Sequence, residues 1–149
     1  MPDVLNNNIA LMGIDLPAID LPAIDAMVLS HGHLDHWGGL PGFLQKHPAA
    51  MRPDLNLYLD GEDAFCRRVA RAPDGSFSPF GTLDRAELAE AGIQVVNSAA
   101  PMVLDGHAFT NGIVPRTNIE QVLPNSQVIF GVAGGDGCDV AKYAEHHFT

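Results

Sequence analysis

Apolar and polar residues alternate in short blocks along the chain, and these blocks predict helices and strands in alternation. Residues 4–12 predict a short helix that Gly13 ends. Residues 26–30 form an apolar run typical of a strand buried in a covered sheet. Residues 38–47 predict a helix, because apolar side chains recur every three or four positions along one face. Residues 14–25 contain Leu-Pro-Ala-Ile-Asp twice and predict an extended connector, since two prolines forbid a continuous helix.

The same alternation continues in the rest of the chain. Leu55, Leu57 and Leu59 alternate with more polar residues and predict a strand. The remaining pattern predicts helices over 62–71, 84–91 and 140–147, and strands over 93–96 and 127–132. Residues 73–81 are expected to form a loop. Residues 102–110 predict a hairpin with a two-residue Asp105-Gly106 turn. Strands that alternate with helices predict a mixed α/β fold.

Composition and charge narrow the class of protein. The 149 residues are 46% hydrophobic and 17% charged, which predicts one globular domain over residues 1–149. A formal net charge of −10 argues against a nucleic-acid partner, because an acidic surface repels phosphates. There is no apolar run of about 20 residues and no basic, apolar leader, so we expect a cytoplasmic protein without a membrane partner. Cys66 and Cys138 are 72 positions apart and are expected to be ordinary small apolar side chains.

One hexapeptide concentrates the residues that can do chemistry: His31-Gly32-His33-Leu34-Asp35-His36. It lies where the predicted strand 26–30 ends and the predicted helix 38–47 begins. Residues two apart in an extended segment point the same way, so His31 and His33 can reach one metal ion together. Asp35 and His36 follow the turn toward the helix and can reach a second ion nearby. Glycines within and after the motif are expected to let the backbone bend tightly around the ions.

This donor set indicates hydrolytic chemistry on a small-molecule substrate. Imidazole and carboxylate suit zinc, iron or manganese. A bound cation lowers the pKa of its water from 15.7 to about 7, which supplies hydroxide at neutral pH. Asp35 can also orient that nucleophile, and it is therefore the candidate catalytic residue.

The sequence around the motif resembles the signature of the metallo-β-lactamase superfamily. The resemblance rests on residues 28–40, from Val-Leu-Ser-His-Gly-His to Trp-Gly-Gly-Leu. Asn7-Asn8, residues 11–16 and Gly-Ile-Val-Pro-Arg at 112–116 resemble one branch, the dihydropterin-ribofuranosylaminobenzene-phosphate synthase-like subgroup of metal-dependent hydrolases. The resemblance implies an αββα sandwich with two divalent ions, the first held by His31 and His33 and the second by Asp35 and His36.

For function, the resemblance implies a metal-dependent hydrolase that acts on an ester, amide or phosphoester with metal-bound hydroxide. A synthase or transferase of the pterin pathway is the alternative that the branch implies. Arg116 is a candidate for binding an anionic group of the substrate, and Trp37 is a candidate for a wall of the pocket.

The chain also departs from the family pattern. Few residues precede the motif, and the family's third histidine for the first metal is missing from the nearest similar turn, residues 134–139, where Asp136 and Asp139 are the carboxylates. We therefore expect a partial sandwich that lacks its first strands and C-terminal part, with low metal occupancy and severely reduced activity. The alternatives are an inactive fragment, a metal-binding module, or a homo-oligomer in which a second copy covers the missing layer.

Overall fold

The computed structural model describes residues 2–48, 51–59, 61–79, 81–104, 106–112 and 128–130. The helices are α1 (Val4–Leu11), α2 (Leu34–Trp37), α3 (Leu40–Lys46) and α4 (Arg85–Glu90). The strands are β1 (Ala26–Val28), β2 (Leu55–Leu59), β3 (Arg67–Arg71), β4 (Phe77–Pro79), β5 (Ile93–Asn97), β6 (Met102–Leu104), β7 (Ala108–Thr110) and β8 (Val128–Phe130).

A parallel sheet with the order β1-β2-β5 forms the centre of the described structure. In the middle strand, Leu55, Leu57 and Leu59 are at most 3% exposed, which confirms the strand predicted from their alternation. Full burial of a leucine side chain contributes roughly 1.5–3 kcal/mol. Helix α3 packs Phe43 and Leu44 into the same core, so the predicted apolar face of residues 38–47 is also confirmed, over a shorter helix.

Strand β1 is shorter and more exposed than the sequence predicts. It ends at Val28, whose side chain is 50% exposed, whereas a strand in a covered sheet was expected over 26–30. Among the described strands β1 lies at the edge of the sheet and pairs with β2 alone, which explains the exposure. The backbone stays in register for one more residue, because Leu29 N donates to Tyr58 O at 2.8 Å.

A second sheet is antiparallel and has the order β4-β3-β8. The prediction of a helix over 62–71 is wrong, because a 3₁₀ turn at Glu62–Phe65 leads into β3. The predicted loop over 73–81 contains β4, where Pro79 pairs opposite Val69. Proline is tolerated there because β4 is an edge strand among the described strands.

Two local expectations about turns need small corrections. The hairpin of β6 and β7 is confirmed, but its register pairs Leu104 with Ala108, so the loop is one residue longer than a two-residue turn. Gly106 has a φ of +75°, the left-handed conformation that such a loop requires. Each copy of the repeated pentapeptide forms a 3₁₀ turn, at Leu16–Ala18 and Leu21–Ala23, rather than an extended connector.

The expectation for the cysteines is wrong for Cys66, which is disulfide-bonded. The large separation of the two cysteines along the chain gave no indication of a disulfide. In the fold, β3 begins directly after Cys66 and pairs with β8, which lies much later in the sequence. Cys138 lies outside the described residues, as does the helix predicted over 140–147.

In the described residues, one parallel sheet, a three-stranded antiparallel sheet and the two-stranded hairpin, together with the helices, make a mixed α/β architecture. This confirms the predicted fold class and is consistent with part of an αββα sandwich. Among the described residues no helix is long and apolar enough to cross a membrane.

Helix α4 offers a test of the local structure. The side chain of Asp84 accepts a hydrogen bond from Ala86 N at 2.7 Å and so caps the helix. We expect Asp84→Ala to lower the free energy of unfolding by about 1 kcal/mol in urea denaturation. Glu90→Ala, at the exposed end of the same helix, is the control and should change stability by less than about 0.5 kcal/mol. Equal effects of the two substitutions would contradict the cap.

Candidate metal centre

The histidine motif begins where the parallel pairing of β1 ends. Ser30 to His33 cross from the strand to helix α2, and His33 has the extended backbone of an N-cap residue. Asp35 and His36 then lie within α2, earlier than the helix that the sequence predicts. In open parallel sheets ligands bind beyond the carboxyl ends of the strands, which is where this segment lies.

The structure brings the three imidazole rings of the motif together. The centroid of the His31 ring lies 4.5 Å from that of His33 and 3.9 Å from that of His36. His31, in the middle, is 8% exposed, whereas the side chain of His36 is 42% exposed. The cluster thus has one buried and one open side.

A hydroxyl and a carboxylate also lie close to the rings of the cluster. Ser30 Oγ lies 3.2 Å from Nδ1 of His31 and 2.9 Å from Nδ1 of His36. Oδ2 of Asp35 lies 3.7 Å from Nε2 of His36. Sequence reasoning missed Ser30, although its place between the strand and the first histidine was a usable signal.

Trp37 fixes the backbone of the motif. Its indole Nε1 donates a hydrogen bond to the carbonyl of Gly32 at 3.1 Å. The side chain is 7% exposed and belongs to the main hydrophobic core. Trp37 therefore stabilises the backbone of the motif from the side of the core. Its contact with a substrate stays a prediction.

Arg68 on β3 holds the same segment from the other sheet. Its side chain is 7% exposed, and Nη1 donates to the carbonyl oxygens of Ala64 at 3.1 Å and Cys66 at 3.4 Å. An ideal Cβ built on Gly32 would lie 2.5 Å from Nη2 of Arg68. Sequence reasoning missed this contact, because it predicts a helix over 62–71 in place of β3.

The glycines of the motif allow close packing. Gly32, Gly38 and Gly39 do not have a left-handed φ, and the bending of the backbone around ions stays a prediction. A Cβ on Gly39 would lie 2.6 Å from Cβ of Leu5, so this glycine lets α1 approach. Gly32 in the same way gives space to the Arg68 guanidinium.

The donor chemistry of the cluster fits a divalent cation. Imidazole nitrogens and a carboxylate are ligands for zinc, iron and manganese. Within the described ranges, no group of three or more His, Cys, Asp or Glu side chains is arranged to hold a metal ion. The binding of metal by His31, His33, Asp35 and His36 thus stays a prediction, and Arg116, Asp136 and Asp139 lie outside the described residues.

A cleft of about 410 Å³ opens beside the exposed end of the cluster. Asp35 and His36 line it together with apolar side chains of α1 and β1, such as Leu5 and Val28. The cleft gives a small molecule with an apolar part access to the Asp35 carboxylate and the His36 ring.

Comparison with known proteins gives one finding. The family model described as "Metallo-beta-lactamase superfamily" matches residues 7–117, well over half of the chain, and this range contains the whole histidine motif. A search of the curated proteins found no match.

The contact between Gly32 and Arg68 can be tested by stability. We expect Gly32→Ala to lower the free energy of unfolding by about 1–3 kcal/mol, because the guanidinium is held by two carbonyls and cannot give way freely. In an Arg68→Met background the same substitution should cost at least about 1 kcal/mol less. Urea denaturation of the four proteins of this double-mutant cycle measures the difference. Additive costs would show that the methyl group and the guanidinium do not meet.

Proposed function

The chain belongs to the metallo-β-lactamase superfamily, and from this premise we propose that it is a metal-dependent hydrolase with its reaction centre at the histidine cluster. The observation that carries the proposal is the approach of His33 and His36 to His31, with ring centroids within 4.5 Å. Family membership suggests metal-dependent hydrolysis, and the cluster supplies nitrogen donors of the kind that this chemistry uses.

Each residue of the motif has a proposed role. His31 and His33 hold the first divalent ion, and Asp35 and His36 hold the second. Zinc is our first choice for both, with iron and manganese as outcomes of the test. When bound, such an ion acidifies a water molecule and polarises the bond to be cleaved in an ester, amide or phosphoester.

The protein side chains around the cluster position the reactants. Asp35 has a side chain that is 66% exposed and lines the cleft, so its carboxylate can accept a hydrogen bond from the attacking water and orient it. The apolar walls of the cleft receive the leaving part of the substrate and exclude solvent. Arg116 is our candidate for binding an anionic group of the substrate.

For the branch of the family, we propose the synthase-like subgroup of the pterin pathway. Support comes from the sequence Gly-Ile-Val-Pro-Arg at 112–116, whose first residue is held tightly. Gly112 has a φ of +70°, and a Cβ there would lie 2.6 Å from the carbonyl oxygen of Ala99. A side chain at this position would both strain the backbone and clash, so glycine is required before the segment that carries Arg116.

Metal content tests the proposal directly. In equilibrium dialysis against saturating Zn²⁺, the chain should hold about two ions by elemental analysis, and it should bind them weakly because the third histidine of the first site is missing. His33→Ala should lose at least one ion and slow hydrolysis on the order of 100-fold. The control is His47→Ala on the edge of α3, where the ring packs 4.9 Å from Phe43 instead of joining the cluster. His47→Ala should leave the metal content and the rate of hydrolysis unchanged.

The substrates for this assay are an aryl ester, an anilide and an aryl phosphodiester. Hydrolysis of any of them by the zinc-loaded chain, with loss in His33→Ala, supports the proposal. Retention of metal without hydrolysis would instead indicate a metal-binding module. Retention of less than about half an ion per chain would contradict the proposed site.

Asp35→Asn tests the second ion and the orientation of the attacking water without changing the two proposed ligands of the first ion. Asp35→Asn keeps the size of the side chain but removes the charge that orients the water. We expect kcat to fall on the order of 100-fold while the first ion, on His31 and His33, is retained. Steady-state kinetics measures kcat, and elemental analysis of the same sample measures the retained metal. An unchanged kcat would remove Asp35 from the catalytic machinery.

A further inference from the structure

A second cavity, of about 660 Å³, lies against a different face of helix α2 from the cleft. Asp35 and His36 line the cleft, whereas Leu34 and Gly38, which are four positions apart and share one face of the helix, line the second cavity. Small-molecule sites in proteins have volumes of roughly 300–1,000 Å³. The second cavity is therefore large enough to receive an organic ligand.

The walls of this cavity, which we call the α3–α4 groove, are mainly apolar. Helix α3 contributes Pro41 and Leu44, α2 contributes Trp37, and Ala91 lies at the end of α4. Leu44 and Trp37 also belong to the hydrophobic core, so the groove opens directly onto the core. A ligand with an apolar body is stabilised here, because these walls remove its apolar surface from water.

The charged groups of the α3–α4 groove all have one sign. Glu87 and Glu90 are exposed and line the groove from α4, three positions apart and thus on one face of the helix. Within the described ranges neither carboxylate forms an ion pair. Among the described residues that line the groove there is no lysine, arginine or histidine. The groove therefore attracts a positive charge to its exposed rim.

We propose that the α3–α4 groove binds an organic cation, whose apolar body lies against Trp37 and Leu44 and whose ammonium group lies beside Glu87 and Glu90. The apolar walls favour an organic over an inorganic cation, because an inorganic ion has no apolar surface to bury. The two carboxylates favour the cation over an anion of the same shape. The site is independent of the proposed function, since none of the four candidate metal ligands lines the groove.

Trp37 makes binding in the groove observable. It is the one tryptophan of the chain, so the tryptophan fluorescence comes from a single known position. Its ring atoms Cζ2 and Cη2 would lie 3.3 Å from an ideal Cβ on Gly81, which also lines the groove. A ligand in the groove therefore changes the surroundings of this indole.

The first test titrates the metal-free full chain with 4-phenylbutylamine, which is a cation at about pH 7.5 because amines of this kind have a pKa of about 10. We expect a saturable change in the fluorescence of Trp37. The neutral 4-phenylbutan-1-ol and the anion 4-phenylbutanoate should bind at least about 5-fold more weakly. Equal affinity for the amine and the alcohol, or no saturation by the amine up to about 10 mM, would overturn the proposal.

Removal of the carboxylates locates the ammonium group. Glu87→Gln and Glu90→Gln should each weaken binding of the amine by about 2–5-fold, and the double variant by about 5–20-fold. The matched control combines Asp15→Asn with Asp20→Asn, two exposed residues whose side chains form no cap hydrogen bond. The control should change the affinity by less than about 2-fold, because its charges lie outside the groove. Equal weakening by the two double variants would show that the amine responds to net charge alone and would overturn the site.

Trp37 also lines the cleft, so a ligand in the cleft would change the same fluorescence. Asp35→Asn removes the carboxylate of the cleft and should leave binding of the amine unchanged. Ala91→Phe fills the α3–α4 groove and should weaken binding at least about 10-fold. Weakening by Asp35→Asn without an effect of the glutamate variants would place the amine in the cleft and overturn the proposal. If Ala91→Phe does not fold, the glutamate and Asp35 variants decide.

Discussion

The peptide of Gly32 is held from two sides, and the geometry of the candidate site depends on this. The Trp37 indole donates to its carbonyl from the core, and the Arg68 guanidinium on β3 occupies the space where a Cβ of residue 32 would lie. These contacts come from different layers, because Trp37 is part of the main core and Arg68 belongs to the antiparallel sheet. The segment that carries His31 and His33 is thus fixed between the strand end and helix α2. The absence of a side chain at residue 32 is what makes this double contact fit.

Polar contacts then order the side chains on the fixed backbone. Ser30 Oγ is within hydrogen-bond distance of His36 and His31, at 2.9 and 3.2 Å, whereas Asp35 lies 3.7 Å from His36, beyond that distance. The two hydrogen-bond contacts connect the ring beside the open cleft with the buried ring of the cluster. Chains of hydrogen bonds strengthen one another where solvent is excluded, so the buried end is the more firmly oriented. We propose that such contacts orient the nitrogen donors before any ion arrives.

The sequence predicts those parts of the molecule that have a periodic residue pattern or several residues of one type close together in the chain. Alternating leucines identified β2, and three histidines in six residues located the site at a strand end. The helix predicted over 62–71 failed because alanine and arginine favour helices locally, whereas pairing with β4 and β8 makes this segment a strand. That error concealed Arg68, and with it the reason for Gly32. Ser30 was also missed, because one of its two partners is the ring of His36, six positions away.

We propose that these imidazoles are ligands of divalent cations, and zinc-edge X-ray absorption spectroscopy is the sharpest test of this proposal. The spectrum of the zinc-loaded, dialysed chain should show imidazole multiple scattering from at least two histidines, together with oxygen or nitrogen neighbours at about 2.0–2.2 Å. His33→Ala should reduce the imidazole signal. A first shell of light atoms with no imidazole scattering would contradict the account, even if zinc were retained.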